Sequence, residues 1–156
     1  MDDEKKVYFT EEGLKAYKKK LDYKKTTESL EASEAIAVAR EFGDLSENSE
    51  YKSARENQNL LEEEITRMQF EIDHAVIIKA QYVKFLNMKT HKELEFNIVG
   101  STEAMFTEQG IQSISYISPI AQAVYGHKVG DVVRVSMANG MNYQAKILEV
   151  GEIKNN

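Results

Sequence analysis

The sequence predicts an α+β chain, an antiparallel α-helical coiled-coil hairpin followed by a small α+β domain, and three observations carry that expectation. The hydrophobic period changes from helical to alternating near residue 80. The net charge lies wholly before that point: residues 1–80 hold 13 Lys+Arg against 19 Asp+Glu, whereas residues 81–156 hold seven of each. Within the first half, Gly43-Asp44 joins a helix-stop residue to a helix-start residue, which divides it into two arms of about 30 residues, or about 45 Å each at 1.5 Å per residue. The division into domains is placed at 1–79 and 80–156, with a short bridge near Ile78 to Tyr82.

The first arm opens with Thr10 as N-cap and Glu11 and Glu12 in the first turn, where acids favour the helix dipole. Leu14, Tyr17 and Leu21 begin an apolar seam. It dilutes through Lys24, Thr27, Leu30 and Ser33 and resumes at Ile36, Ala37 and Val38. The second arm is more regular: steps of 3.5 residues from Tyr51 give Ala54, Gln58, Leu61, Ile65, Met68, Ile72 and Ala75, a coiled-coil seam that requires a partner helix. Beyond the bridge, alternating β-branched runs predict strands at Tyr82–Met88, Glu93–Val99, Ile111–Ile117, Asp131–Met137 and Tyr143–Val150. Ser118-Pro119-Ile120-Ala121 starts a short helix with Pro in its first turn, and Asn139-Gly140 signals a tight hairpin between the last two strands.

Composition removes several classes of function. No cysteine is present among the 156 residues, so disulfide scaffolds, thiolate metal sites and thiol nucleophiles are excluded. No apolar run approaches the roughly 20 residues of a membrane helix, and the MDDEKK start lacks a signal peptide's apolar core; a cytoplasmic, membrane-free protein is expected. A net charge of -6 and a pI near 5.2 have the wrong sign for a protein that holds nucleic acid by releasing counterions. His74, His91 and His127 lie in separate segments without ligand spacing, and no G-x-S-x-G elbow supports a serine nucleophile.

The break between the arms concentrates chemistry. Asp44-Leu45-Ser46-Glu47-Asn48-Ser49-Glu50-Tyr51 carries three carboxylates within two turns. As structure, Asp44 at N-cap with Glu47 three residues on approximates a capping box. As chemistry, the same pair offers hard oxygen donors to Mg²⁺, a cation that keeps much of its water and binds through one or two protein acids together with phosphates. Two carboxylates on a solvated apex make an incomplete site, so a partner would have to supply the rest.

Ala39-Arg40-Glu41-Phe42-Gly43-Asp44-Leu45-Ser46-Glu47-Asn48-Ser49-Glu50-Tyr51, continuing through Ala54-Arg55-Glu56-Asn57-Gln58, resembles the tip signature of the bacterial Gre family of transcription elongation factors, A-R-E-x-G-D-x-x-E-N-x-E-Y. Ile98-Val99-Gly100, Ser118-Pro119-Ile120-Ala121 and Gly130-Asp131-Val132-Val133 resemble the family's C-terminal domain. The modest basic content is closer to GreA than to GreB. The resemblance implies an FKBP-like second domain and an accessory factor, itself not an enzyme, that enters the secondary channel of RNA polymerase. There it would promote Mg-dependent cleavage of the 3′ end of backtracked RNA and so rescue arrested complexes. By the same resemblance Asp44 and Glu47 would share a weakly held Mg²⁺ with polymerase, none being bound tightly by the isolated chain. Ser46, Asn48, Lys52 and Arg55 would lie near that metal or the RNA, and Ser118 and Pro119 would meet the polymerase rim. A monomer is expected.

Each assignment has a plainer counterpart. Ser46 and Asn48 suit a helix start in any protein, Lys52 and Arg55 could serve only in pairs along their own helix, and the cluster Lys15, Lys18, Lys19, Lys20, Lys24 and Lys25 reads as a solvated face. Two positions depart from the family: Ile117 stands where Asp or Asn usually precedes Ser-Pro, and Gln122 where Arg is common. The rival functions are a Gre-like inhibitor that occupies the channel without promoting cleavage and a non-catalytic coiled-coil adaptor.

Overall fold

The computed structural model describes residues 5–44, 47–102 and 110–154. It forms two compact units, Lys15–His74 and Met1–Leu14 with Ala75–Asn156. The division expected after residue 79 therefore falls at His74, and the first fourteen residues join the later part of the chain. The cause is a parallel pairing of β1 (Val7–Phe9) with β2 (Ala75–Ile77), with Val7 opposite Ala75 and Phe9 opposite Ile77. Strands of three residues carry too little alternation to be read from sequence. Phe9 is wholly buried, and its carbonyl accepts from the Ile78 N–H at 2.8 Å.

The helical unit is a hairpin whose first arm runs through α1 (Glu11–Tyr23), a π-helical turn (Lys24–Glu28) and α2 (Ser29–Arg40), and whose second arm is α3 (Ser49–Asp73). As expected, Thr10 caps α1: its hydroxyl oxygen accepts from the Gly13 N–H at 3.1 Å. Along α3 the seam is where the 3.5-residue period puts it, with Ala54 and Met68 buried and Tyr51, Gln58, Leu61, Ile65 and Ile72 half-buried. Ala75 leaves it for β2.

The first arm departs from the expected register. Thr27, Leu30 and Ser33 are exposed, and the buried side runs instead through Leu21, Lys24, Glu28, Ala32, Ile36 and Ala39. The π-helical turn explains the slip. An i→i+5 bond, from the Ser29 N–H to the Lys24 carbonyl, accommodates one extra residue, so the positions just after it move to Glu28 and Ala32 before the seam rejoins the expected Ile36. The Ser29 hydroxyl donates to the same carbonyl at 3.0 Å. Lys24 is only 8% exposed, and its ammonium meets Glu64 of the opposite arm at 2.6 Å and Glu28 at 3.3 Å. The hydrogen bond to Glu64 holds the Lys24 pKa above its ordinary value and the Glu64 pKa below its own. Tyr17 donates to Glu71 at 2.7 Å and Lys25 to Gln69 at 2.9 Å, so polar bridges tie the arms where apolar residues are sparse.

The second unit is built on a five-stranded sheet of order β5-β4-β3-β7-β6, comprising β3 (Gln81–Asn87), β4 (Lys92–Val99), β5 (Ser113–Ser115), β6 (Val132–Ser136) and β7 (Asn142–Gly151). All neighbours are antiparallel except β4 and β5. Helix α4 (Pro119–Val124) supplies Ala121 and Val124 to a core with Val83, Phe85, Ile98, Val135, Ala145 and Ile147, all wholly buried. The β6–β7 connection is a hairpin, but with three residues and not two. Met137 N–H bonds the Met141 carbonyl at 2.7 Å, Gly140 N–H bonds the Met137 carbonyl at 3.1 Å, and only Gly140 has positive φ, at 89°. That is a type I turn closed by a left-handed glycine. Asn139 instead accepts from the Met141 N–H at 3.0 Å.

Candidate functional site at the hairpin tip

Helix α2 ends through two short-range bonds, Glu41 N–H to the Val38 carbonyl and Phe42 N–H to the Ala39 carbonyl, both 3.1 Å. Gly43 then takes φ +114°. A Cβ there would meet nothing within 4 Å, so the backbone conformation and not space calls for glycine. The chain turns through Asp44, whose carbonyl accepts from the Glu47 N–H at 3.3 Å.

Asp44 is not the cap of α3. That place belongs to Asn48, whose side-chain oxygen accepts from the Tyr51 N–H at 3.0 Å. Its amide nitrogen donates to the Ala39 carbonyl at 2.6 Å. One side chain, 6% exposed, thus satisfies an otherwise unpaired donor at the start of α3 and adds a second bond to a carbonyl at the end of α2 that already accepts from the Phe42 N–H. An amide supplies both a donor and an acceptor, whereas a carboxylate supplies acceptors alone. The sequence holds a signal for this: Asn48-Ser49-Glu50 is as good a start as Asp44-Leu45-Ser46, with Glu50 in the first turn.

Asp44 and Glu47 are therefore exposed residues of the turn before the helix, outside its capping geometry. Ser46, with Leu45, lies outside the described residues. Asn48 is held in the interior of the turn, where its side chain ties the start of α3 to the end of α2. Lys52 and Arg55 are exposed on α3; among the described residues neither forms an ion pair, and Arg55 donates to Gln58 at 3.4 Å. Beneath the turn Tyr51 packs on Ile36, Ala39 and Ala54, with the Arg40 guanidinium 5.9 Å from its ring centroid.

Among the described residues no group of three or more His, Asp or Glu side chains is arranged to hold a metal ion. The donor set at the tip, two exposed carboxylates, matches the part a protein contributes to Mg²⁺ when phosphates and water supply the rest. In the sheet unit, Ser118 caps α4, its hydroxyl oxygen accepting from the Ala121 N–H at 3.3 Å, with Pro119 following in the first turn. Beside them Ile117 is 58% exposed, and Gln122 folds back to donate to the Tyr116 carbonyl at 2.7 Å. No described helix is long and apolar enough to cross a membrane.

Comparison with known proteins matches residues 7–77 to the family model "Transcription elongation factor, N-terminal" and residues 73–152 to "Transcription elongation factor, GreA/GreB, C-term". The chain is 40% identical to the transcription elongation factor GreA of Macrococcus caseolyticus, covering 96% of this chain and 99% of that one. It is 41% identical, at the same coverage, to that of Halalkalibacterium halodurans. Among solved structures, GreA factor homolog 1 of Thermus thermophilus aligns over 94% of this chain and 99% of its own at 21% identity and a TM-score of 0.41, a likeness too low to bear on function.

Proposed function

The chain belongs to the GreA/GreB family of transcription elongation factors, and we propose that it works as a transcript cleavage factor by carrying Asp44 and Glu47 into the active site of RNA polymerase through the secondary channel. The observation that carries this reading is the division of labour at the tip. Asn48 caps α3 and pins it to α2, so the acid pair is not required as the helix cap and stands exposed in the turn.

In this reading the factor is an accessory protein that completes a hydrolytic site. Asp44 and Glu47 would hold a divalent cation together with groups supplied by polymerase. Such an ion, once bound, lowers the pKa of water and stabilises charge on the phosphodiester oxygens. Glu47 and Asp44 also orient water by accepting hydrogen bonds from it at their carboxylate oxygens. Lys52 and Arg55, which among the described residues form no ion pair, meet the phosphates of the extruded RNA 3′ end, while Ser118 and Pro119 form the rim contact. The factor acts as a monomer in the cytoplasm.

The test is the double variant Asp44→Asn/Glu47→Gln in stalled elongation complexes of the cognate polymerase. Both substitutions keep size and one acceptor oxygen and remove charge. The expected result is a normal melting temperature with RNA cleavage reduced by at least about a hundredfold, a loss typical of removing charge stabilisation from such a site. Undiminished cleavage would overturn the reading.

A further inference from the structure

Just behind the tip the two arms leave an open groove of about 540 Å³ lined by Ala35, Val38, Ala39, Phe42, Ala54 and Glu50, among others. Two of these are conspicuous in a two-helix unit with few apolar residues to spare: Val38 is 55% and Phe42 68% exposed. Neither belongs to the cluster of Ile36, Ala39 and Ala54 that joins the arms. Their exposure is therefore apolar surface the hairpin does not use for itself.

Charge around the groove is one-sided. Glu50 lines it, and Glu31 and Glu34, both exposed, stand one turn back along α2 from Ala35 and Val38. The tip's cations point elsewhere. Arg40 lies over the Tyr51 ring, and Lys52 and Arg55, two and five residues beyond Glu50, project about 200° and about 140° around α3 from it. The tip thus has a cationic side and an apolar side rimmed with acids.

We infer that this groove is a docking surface for an amphipathic helix of RNA polymerase that sets an apolar side chain against Val38 and Phe42 and flanks it with Lys or Arg facing Glu31, Glu34 and Glu50. The choice of polymerase rests on the proposed function; the chemistry of the partner rests on the groove. Two helices with a gap between them offer a third helix the spacing of a three-helix bundle, read by the partner as anchors one turn apart. RNA is disfavoured because three carboxylates would face its phosphates. A second copy of this chain is disfavoured because its own groove presents the same acids. The basic helix gains affinity from the buried apolar surface and orientation from the rim.

The test uses the full chain and RNA-free cognate polymerase, with affinity read from the anisotropy of a labelled factor. Val38→Ser/Phe42→Ser should weaken binding about tenfold or more, at unchanged helicity and melting temperature because both side chains are exposed. Glu31→Gln/Glu34→Gln should weaken it less and flatten its salt dependence. Glu62→Gln/Glu63→Gln, exposed acids farther along α3 that do not line the groove, should leave it unchanged. A photo-crosslinker at position 42, Phe42→p-benzoyl-phenylalanine, should attach to a polymerase helix carrying Lys or Arg. Unchanged affinity of Val38→Ser/Phe42→Ser overturns the inference, as does attachment to RNA, to a second copy, or to a polymerase segment without basic residues. Because these readouts omit cleavage, a wild-type chain that binds through the groove without stimulating cleavage defeats the functional reading alone. Conversely, cleavage lost in Asp44→Asn/Glu47→Gln with unchanged affinity of the groove variant defeats the groove alone.

Discussion

In the sheet unit eight side chains, Phe85, Ile98 and Ile147 among them, are wholly buried in one cluster; beneath the hairpin tip the cluster is Ile36, Ala39 and Ala54, with Tyr51 packed on it. The first unit is held by apolar area. The tip is held by a few backbone and side-chain hydrogen bonds around Gly43 and Asn48. The difference teaches where chemistry can be varied: a turn that owes little to a core can exchange exposed acids without disturbing the fold, whereas its two conformational residues cannot change freely.

The strongest test of that contrast is Phe85→Ala in the sheet core. Removing a fully buried ring costs about 3–5 kcal/mol, so calorimetry should show a large loss in the sheet unit's transition. Asn48→Ala comes next. It deletes the cap and one of the two bonds to the Ala39 carbonyl, which keeps the Phe42 N–H, for a loss of about 1–2 kcal/mol confined to the tip and visible as faster hydrogen exchange at the Tyr51 amide. Equal slowing or no change there would erase the distinction between the two regions. Gly43→Ala places a Cβ at φ +114° and should cost about 1 kcal/mol or somewhat more through backbone strain alone, since the added methyl meets no neighbour.

The smallest effect sharpens the comparison within the hairpin itself. The pKa of Glu64 is lowered chiefly by its bond to Lys24, so the pair stabilises the folded state above the ordinary carboxylate value of 4.5 and the contribution disappears as pH falls through the lower folded value. Lys24 is raised, so its contribution is full below 10.5 and is lost as pH rises through the higher folded value. With the Glu64 side chain 37% exposed, solvent screening limits the gain to about 1 kcal/mol or less. Glu64→Gln should therefore melt slightly below the wild type at pH 7 and converge with it as pH falls through the lowered Glu64 value.

What could be read from the sequence follows the same division. The α3 seam was legible because one unbroken helix keeps one period from Tyr51 to Ile72. The first arm was not, because the π-helical turn at Lys24–Glu28 shifts the register and nothing in Lys-Lys-Thr-Thr-Glu announces it. The five main strands were recognisable from alternation, while β1 and β2 depend on a pairing between residues about seventy positions apart that no local pattern encodes. At the tip the glycine and the acid pair were visible in the sequence, but the cap was assigned to Asp44 when two cap-competent residues, Asp44 and Asn48, stood four apart. Only the geometry distinguishes them, because only Asn48 reaches the Ala39 carbonyl.

The central claim is that the tip separates its helix cap from its metal-side acids. Its most direct test is the Mg²⁺ dependence of RNA cleavage in stalled complexes for the wild type and for Glu47→Gln, at saturating factor. The account predicts that Glu47→Gln needs about tenfold more Mg²⁺ for half-maximal cleavage, a loss of about 1.4 kcal/mol in metal affinity, with the same melting temperature. An unchanged Mg²⁺ requirement, or a lowered melting temperature that accounts for the lost cleavage, would contradict it.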